Sequence, residues 1–453
     1  MTSRRAFVKT SLGLPLLAAG SAGLIGGLAA PKPAAAADYR ALVVLFLNGG
    51  NDGNDCLVPT DGAYSDYAAA HQGLALPRSR LVTLAGSSAG HTFGMNVALA
   101  PLAALYNQRR LAWVANVGPL VRPATAAQVL DAAVEVPPFL LSHSDQVAIQ
   151  QGWTGDEDPS GWAGRALELL APELRHDLSA VTMDSHRTLV QGRRSLVSWI
   201  GNNVGARYWN NVDFAYPDAP WARLLIRDTR LRFANAYKSE YARSMGANVA
   251  DAIAFTKALQ ISQPPQADFP ADSLGDSLRM LAQLLPAFRT LGYRRQVFLV
   301  NWGAFDTHAT QRGTAKVAQD YQLDIVARAA AAFDQSVRAS GLDGNVITLM
   351  MSDFGRTLKP ASGGGTDHAW GNHWFLFGGP VAGGRVYGTF PALRLRGPDD
   401  ADPDGDGRFV PTTSTDQVGA TLMQWLGLPS SQFEQVFPNL ANFPQKTLAF
   451  LQA

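Results

Sequence analysis

Residues 41–53 read ALVVLFLNGGNDG. The first seven are all apolar, with no polar residue alternating between them. Such a run suits a strand hidden on both faces. Asn48, two glycines, Asn51, Asp52 and Gly53 follow at once, and these residue types make a tight loop. A strand covered on both sides belongs to a mainly parallel sheet sandwiched between helices. This segment therefore sets the expected fold, a doubly wound α/β sheet.

The same pattern recurs outward from that point. Short apolar runs occupy 111–117 (LAWVANV), 179–183 (SAVTM), 296–301 (QVFLVN), 345–351 (NVITLMM) and 373–378 (HWFLFG). Longer stretches between them, such as 97–109 and 314–339, have the spacing of helices. Strands alternating with helices imply helices on both sheet faces. Residues 215–292 read as a mostly helical insertion, broken near Gln263-Pro264-Pro265. Open parallel sheets bind ligands outside the carboxyl ends of their strands. The loops after the runs at 41, 296 and 345 are the ones that carry Asp and His.

Those loops hold the candidate chemistry. The run at 296 leads to Asp306-Thr307-His308, and positions i and i+2 of an extended segment point the same way. Asp306 and His308 are thus placed to ligate one cation. The run at 345 leads to Ser352-Asp353-Phe354-Gly355-Arg356. Asp353 is a further ligand candidate, with a helix cap as the alternative. Arg356 has the fork that matches a phosphate or sulfate oxyanion, with an ion pair as the alternative. A glycine run at 363–365 precedes Asp367 and His368, and His373 follows. Glycines there allow the backbone to approach a bound group closely. Asp52 and Asp55 lie in the first glycine loop, where turn chemistry alone also accounts for them. Ser142-His143-Ser144-Asp145 offers a hydroxyl, an imidazole and a carboxylate. Catalytic triads are assembled in space and not by adjacency, so a helix N-cap is the plainer reading.

Several features carry less. Residues 402–407 (DPDGDG) match the start of a calcium loop, but its twelfth position is Thr413 and supplies no bidentate acid, which favours a solvated acidic turn. His71, His91, His176 and His186 have no ligand-like company in sequence and read as surface or core residues. Cys56 is the single cysteine, so neither a disulfide nor a thiolate ligand is expected. Asp52, Asp306, Asp353 and Asp367 would repel one another in one cleft unless a divalent cation held them. Mixed carboxylate and imidazole ligands suit zinc or manganese, and magnesium or calcium if oxygens dominate, with one or two ions.

The amino terminus points to export. Ser3-Arg4-Arg5-Ala6-Phe7-Val8-Lys9 precedes a weakly apolar stretch, and Ala35-Ala36-Ala37 offers a cleavage site before Asp38. That is a twin-arginine signal over residues 1–37. The expectation is passage through the twin-arginine translocase and work in the periplasm or outside the cell. Such passage would allow a metal to be loaded first. Cleavage removes four of the 38 basic residues and none of the 37 acidic ones, leaving 34 against 37, a formal charge of −3. A nucleic-acid partner is not expected, since it would need a basic surface. No later run is apolar enough to span a bilayer after cleavage. The remaining stretch, about 415 residues, reads as a single domain over 38–453.

Six blocks then resemble a known family: FLNGGNDGNDCLVPT (46–60), NVGPLVRP (116–123), LLSHSDQ (140–146), FDTHATQ (305–311), SDFGRTL (352–358) and GGTDHAWGNHWFLFGGPVAGGRVYGTFP (364–391). They look like the family of domain of unknown function 1501, in order, along nearly all of the expected mature chain. The resemblance implies the alkaline-phosphatase and sulfatase-like superfamily, an α/β core, and metal-dependent hydrolysis of phosphate or sulfate esters. It implies Asp52 as the ligand from the first strand, Asp306 with His308 as a ligand pair, Asp353 as a second-metal ligand, and His368 or His373 as a final ligand. Phe354 stands where the superfamily's Ser-Asp-His-Gly has its ligating histidine. Ser142 stands near the superfamily's nucleophile, without a diagnostic motif, and Arg356 and His143 would steady developing charge. There is no Cys-x-Pro-x-Arg sulfatase signature and no G-x-S-x-G esterase elbow. The expected function is an exported, metal-dependent hydrolase of small-molecule or polymer esters. The alternative is a non-catalytic exported binding or assembly protein on the same fold.

Overall fold

β1 (Arg40–Leu47) is buried along nearly its whole length, and its residues alternate between two cores. The computed structural model describes residues 38–155, 158–184, 186–201, 208–209, 212–213, 220–229 and 231–452. The expected signal segment, with Arg4, Arg5 and Lys9, lies outside the described residues.

After β1 come a three-stranded antiparallel sheet, β2 (Leu57–Pro59), β3 (Leu81–Thr83) and β4 (Phe93–Asn96), and helices α1 (Tyr64–His71) and α2 (Ala100–Asn107). β5 (Leu111–Gly118), α3 (Ala126–Leu130), α4 (His143–Gln150), α5 (Trp162–Leu169), β6 (Ala180–Thr182) and β7 (Ser198–Trp199) follow. A hairpin, β8 (Tyr208–Trp209) and β9 (Val212–Asp213), leads to α6 (Pro220–Asp228), α7 (Ala236–Ile261) and α8 (Ser273–Thr290). The chain ends with β10 (Arg295–Trp302), α9 (Gln319–Ala339), β11 (Val346–Ser352), β12 (Asn372–Phe377), β13 (Arg385–Tyr387), β14 (Thr413–Ser414), α10 (Thr415–Leu426) and α11 (Phe433–Val436).

The large sheet has the order β13-β5-β12-β11-β1-β10-β6-β7, with β14 also on β5. Every pairing in it is parallel except those of β12, which runs against both β11 and β5. On β1, Ala41, Val43, Leu45 and Leu47 face a core built with α2, α7, α8 and α9. Leu42, Val44 and Phe46 face the other, built with α5, α10 and α11. Burying each such aliphatic side chain contributes about 1.5–3 kcal/mol, so both faces of the strand hold it in place. This is the doubly wound, mainly parallel α/β fold expected from the apolar run.

One boundary differs from the sequence reading, and the break in the insertion does not. The helix expected from 314 begins at Gln319, because residues 311–318 are drawn into the loop that follows β10. The helical insertion is present as α6, α7 and α8, with the break at Pro264-Pro265 falling between α7 and α8. No described helix is long and apolar enough to cross a membrane.

Candidate metal centre

In the register, Leu47 pairs with both Trp302 and Ser352. Three adjacent parallel strands thus stop at one level, and their loops emerge side by side. Gly49 has φ +104°, and a Cβ there would lie 2.5 Å from the Asp306 amide nitrogen, so only glycine permits this loop crossing. The Gly49 N–H approaches both carboxylate oxygens of Asp353 at 3.1 Å. The glycine run at 363–365 packs the same way. Gly363 and Gly365 lie against the backbone of Thr307, His308 and Ala309.

Arg356 is buried beneath these loops. Its guanidinium donates to Gly50 O (2.7 Å), Thr366 O (3.1 Å), Phe305 O (3.3 Å), Gly49 O and Asp306 Oδ1 (2.5 Å). With its donors so occupied it is not free to hold an oxyanion, which corrects the first expectation. The ion-pair alternative describes it: Arg356 ties three loops together and fixes Asp306.

Asp306 Oδ1 is the hub. His308 Nε2 lies 2.9 Å from it, and His143 Nε2 and His368 Nε2 each lie 3.2 Å from it. His308 Nε2 and His368 Nε2 are 3.0 Å apart. The other nitrogen of each ring has its own partner: Asp353 Oδ2 for His143 (2.8 Å), Asp367 Oδ1 for His308 (2.8 Å) and Leu141 O for His368 (2.7 Å). Each Nδ1 is therefore assigned as the N–H, which leaves three Nε2 lone pairs aimed at one carboxylate oxygen. His143 Nε2 is buried with no hydrogen-bond partner, so its approach to Asp306 is an ion-pair distance without hydrogen-bond geometry. Lone pairs and an anion facing one another repel unless a cation sits among them. This donor set fits a divalent metal of the zinc or manganese kind.

The electrostatics differ from group to group. Burial alone would raise the Asp306 carboxyl, but the Arg356 hydrogen bond and charge hold it down at about 2. The hydrogen bond to Asp353 raises His143 from its ordinary value. Burial lowers His368, which keeps its ring neutral. The side chains of Asp306 and His308 are 43% and 45% exposed, so the centre opens to solvent on one side. Beneath, the Phe354 ring lies 4.7 Å from both His143 and His368, centroid to centroid. The position that cannot ligate instead forms the apolar floor under two imidazoles.

The supports come from distant sequence. Leu141 is held at φ +73°, a conformation that costs a non-glycine residue about 1–3 kcal/mol, and its carbonyl takes the His368 N–H. Ser142 stands at the N-cap of α4, yet its hydroxyl makes no cap bond and turns to Asp145 Oδ2 at 2.5 Å. Arg408 donates to His368 O (2.8 Å) and pairs with Asp402 Oδ2 (2.5 Å). The same Asp402 carboxylate accepts from the amides of Asp404 and Asp406. The acidic turn therefore holds an arginine where a calcium loop would hold an ion.

Two residues expected at the centre are elsewhere. Asp52 is fully buried and accepts from Asn54 N (3.0 Å) and from Gln311 Nε2 (2.8 Å). It lies 3.5 Å from His71 Nε2, which is also 3.1 Å from Asp55. Arg312 pairs with Asp55 at 2.5 Å. Burial would lower His71, but Asp55 beside it raises it to about 9, and burial followed by Asp55 raises Asp52 to about 6. His71, read as having no ligand-like company, in fact has two buried carboxylates. Asp52, Asp55 and His71 make a second, buried group that could hold a metal, and Arg312 already pairs with Asp55 in it. His373 is buried in β12, accepts from Asn116 N at 3.0 Å, and stacks on Phe390 at 4.7 Å. Burial pushes it down to about 3. Its role is in the core.

With this geometry in place, comparison with known proteins assigns the family. The family model described as a protein of unknown function (DUF1501) matches residues 39–400. The chain belongs to this family. No curated protein matches it. Among solved structures, the lipoteichoic acid synthase LtaP from Listeria monocytogenes is 10% identical, with a TM-score of 0.33, covering 87% of this chain and 74% of that one. The C-terminal periplasmic domain of EcEptC from Escherichia coli, in complex with Zn, is 12% identical, with a TM-score of 0.32 and coverage of 87% and 84%. The phosphonate monoester hydrolase SpPMH from Silicibacter pomeroyi is 9% identical, with a TM-score of 0.32 and coverage of 86% and 74%.

Proposed function

We propose that this DUF1501 member is an exported, metal-dependent hydrolase of phosphate, sulfate or related esters. The observation that carries the reading is the meeting of three imidazole Nε2 atoms at Asp306 Oδ1, all within 3.2 Å. The twin-arginine pattern in residues 1–37 supports export through that translocase to the periplasm or beyond.

Asp306, His308 and His368 would hold the ion, with His143 at the same rim. A divalent ion there would polarise an ester oxygen and lower the pKa of a water. The chain's own residues do the rest. Asp367 and the Leu141 carbonyl fix the tautomers of His308 and His368. Asp353 fixes His143 with its proton on Nδ1, which leaves Nε2 to accept a proton at the rim. Phe354 keeps water from beneath the rings. Ser142, beside His143, is the hydroxyl proposed to attack: its proton passes to Asp145 as its oxygen bonds the phosphorus or sulfur, the ester's alcohol leaves with a proton from water, and a second water then frees the acid from Ser142.

The test starts from protein purified without chelator. Elemental analysis should find a divalent metal, and Asp306→Ala/His308→Ala should lose it. p-Nitrophenyl phosphate and sulfate should then be tried with zinc, manganese, magnesium and calcium. Equal metal in variant and wild type would overturn the site. Bound metal with silence on every ester would favour the binding-protein reading, which the occupied guanidinium of Arg356 also favours.

A further inference from the structure

The first glycine loop meets the end of α1 around His71. The ring is wholly buried, and its Nδ1 lies 2.5 Å from the Leu358 carbonyl. A carbonyl only accepts, so Nδ1 carries the proton of that bond. Nε2 points between Asp55 Oδ1 at 3.1 Å and Asp52 Oδ2 at 3.5 Å, with hydrogen-bond geometry to neither. Both carboxylates are wholly buried. We propose that Asp52, Asp55 and His71 hold a second divalent cation of the zinc or manganese kind, separate from the centre at Asp306.

The unpartnered Nε2 carries the argument. A buried imidazole nitrogen that faces two anions without a bond to either is costly. The donors are also spaced for an ion. Around one zinc at about 2.0–2.2 Å, ligand atoms stand roughly 3.3–3.6 Å apart. The two distances from Nε2 lie close to that range. Charge points the same way. Arg312 pairs with Asp55 at 2.5 Å and with Asp320 at 3.0 Å, so one guanidinium serves two acids. Among the described residues, no lysine or arginine stands at ion-pair distance from Asp52, whose one such partner is His71. A divalent ion supplies the missing charge.

The neighbours orient the ligands. The Gln311 amide donates to Asp52 Oδ2 (2.8 Å) and to Asp55 Oδ2 (2.7 Å), and the Tyr67 hydroxyl donates to Asp55 Oδ1 (2.9 Å). Outer partners of this kind fix metal ligands in place. Of the three ligands the family resemblance implies only Asp52, and it places that residue with Asp306. The other candidate occupant of the gap is a proton on Nε2, and metal counting separates the two.

Elemental analysis of the full chain purified without chelator should find two equivalents of divalent metal. His143→Ala/His308→Ala/His368→Ala removes the imidazoles of the first centre and should leave one. Adding Asp52→Asn, which keeps the shape, should weaken zinc at least about ten-fold, by competition with a chromophoric chelator. X-ray absorption on the zinc-loaded triple variant needs no change at the new site. It should show one imidazole among oxygen ligands. One equivalent both in wild type and in the triple variant would sink the first centre and keep this one. No metal in the folded triple variant would overturn the proposal. So would unchanged affinity in folded Asp52→Asn protein, or zinc held without an imidazole or by several.

Discussion

His308 and His368 meet nitrogen to nitrogen, Nε2 to Nε2 at 3.0 Å, although both rings already direct Nδ1 to another acceptor. With both tautomers fixed, neither ring has a proton for the other. The pair makes sense as two ligands of one cation. Removing the group that orients a ligand weakens a metal site by about 10- to 100-fold. Asp367→Asn should therefore weaken metal affinity by about that factor, measured by competition with a chromophoric chelator. His308→Ala should weaken it more. Unchanged affinity in Asp367→Asn would detach Asp367 from the centre.

Arg356 separates a structural role from a substrate-binding one. Truncation to Leu leaves the carbonyls of Gly49, Gly50 and Thr366 without their donor and Asp306 without its counter-charge. Breaking a buried charged network of this kind costs about 3–5 kcal/mol. Urea unfolding of Arg356→Leu should show a loss of that order, and Arg356→Lys should recover only part, since one ammonium cannot reach several carbonyls. A fully stable variant with only a raised KM would instead mean that the guanidinium served an oxyanion.

Arg408 links the acidic turn to the centre. Arg408→Leu and Asp402→Asn should both lower metal affinity, because each frees the backbone of His368. Added calcium should leave the melting temperature of wild type unchanged, since the carboxylate of Asp402 is already taken by Arg408 and by two amides. A calcium-dependent rise in melting temperature would show that the turn binds the ion after all.

The sheet was legible because its strands are apolar runs of strand length, and residues 41–47 name both their conformation and their double burial. The direction of β12 was not legible, since hydropathy carries no polarity. Within the site, Asp306 and His308 were legible from their spacing on one strand end. The company of Asp52 was not legible, because an aspartate after a strand looks the same whichever way it faces, and here it takes the Asn54 N–H and faces inward toward Asp55 and His71, apart from Asp306. His143 as a ligand-like ring depends on the start of α4 meeting the end of β11, a contact between residues 210 positions apart. The carbonyl of Leu141 and the guanidinium of Arg408 act through backbone geometry, which side-chain motifs do not encode.

His373 gives the acid limb of stability a testable sign. Its folded value is held at about 3 by burial, against an ordinary value of 6.5. Between those values the unfolded chain binds a proton that the folded chain refuses. The contribution is therefore intact above pH 6.5 and is lost progressively as pH falls toward 3. One proton corresponds to a slope of about 1.4 kcal/mol per pH unit. His373→Phe removes that titration, and it also orphans the Asn116 N–H, at a cost of about 1–3 kcal/mol that does not depend on pH. Urea unfolding between pH 4.5 and 7.5, with chelator present so that ligand protonation does not intrude, should show a shallower acid slope in the variant by about one proton. Parallel slopes in the two proteins would mean that His373 is already protonated in the fold, and its place in the core would need another account.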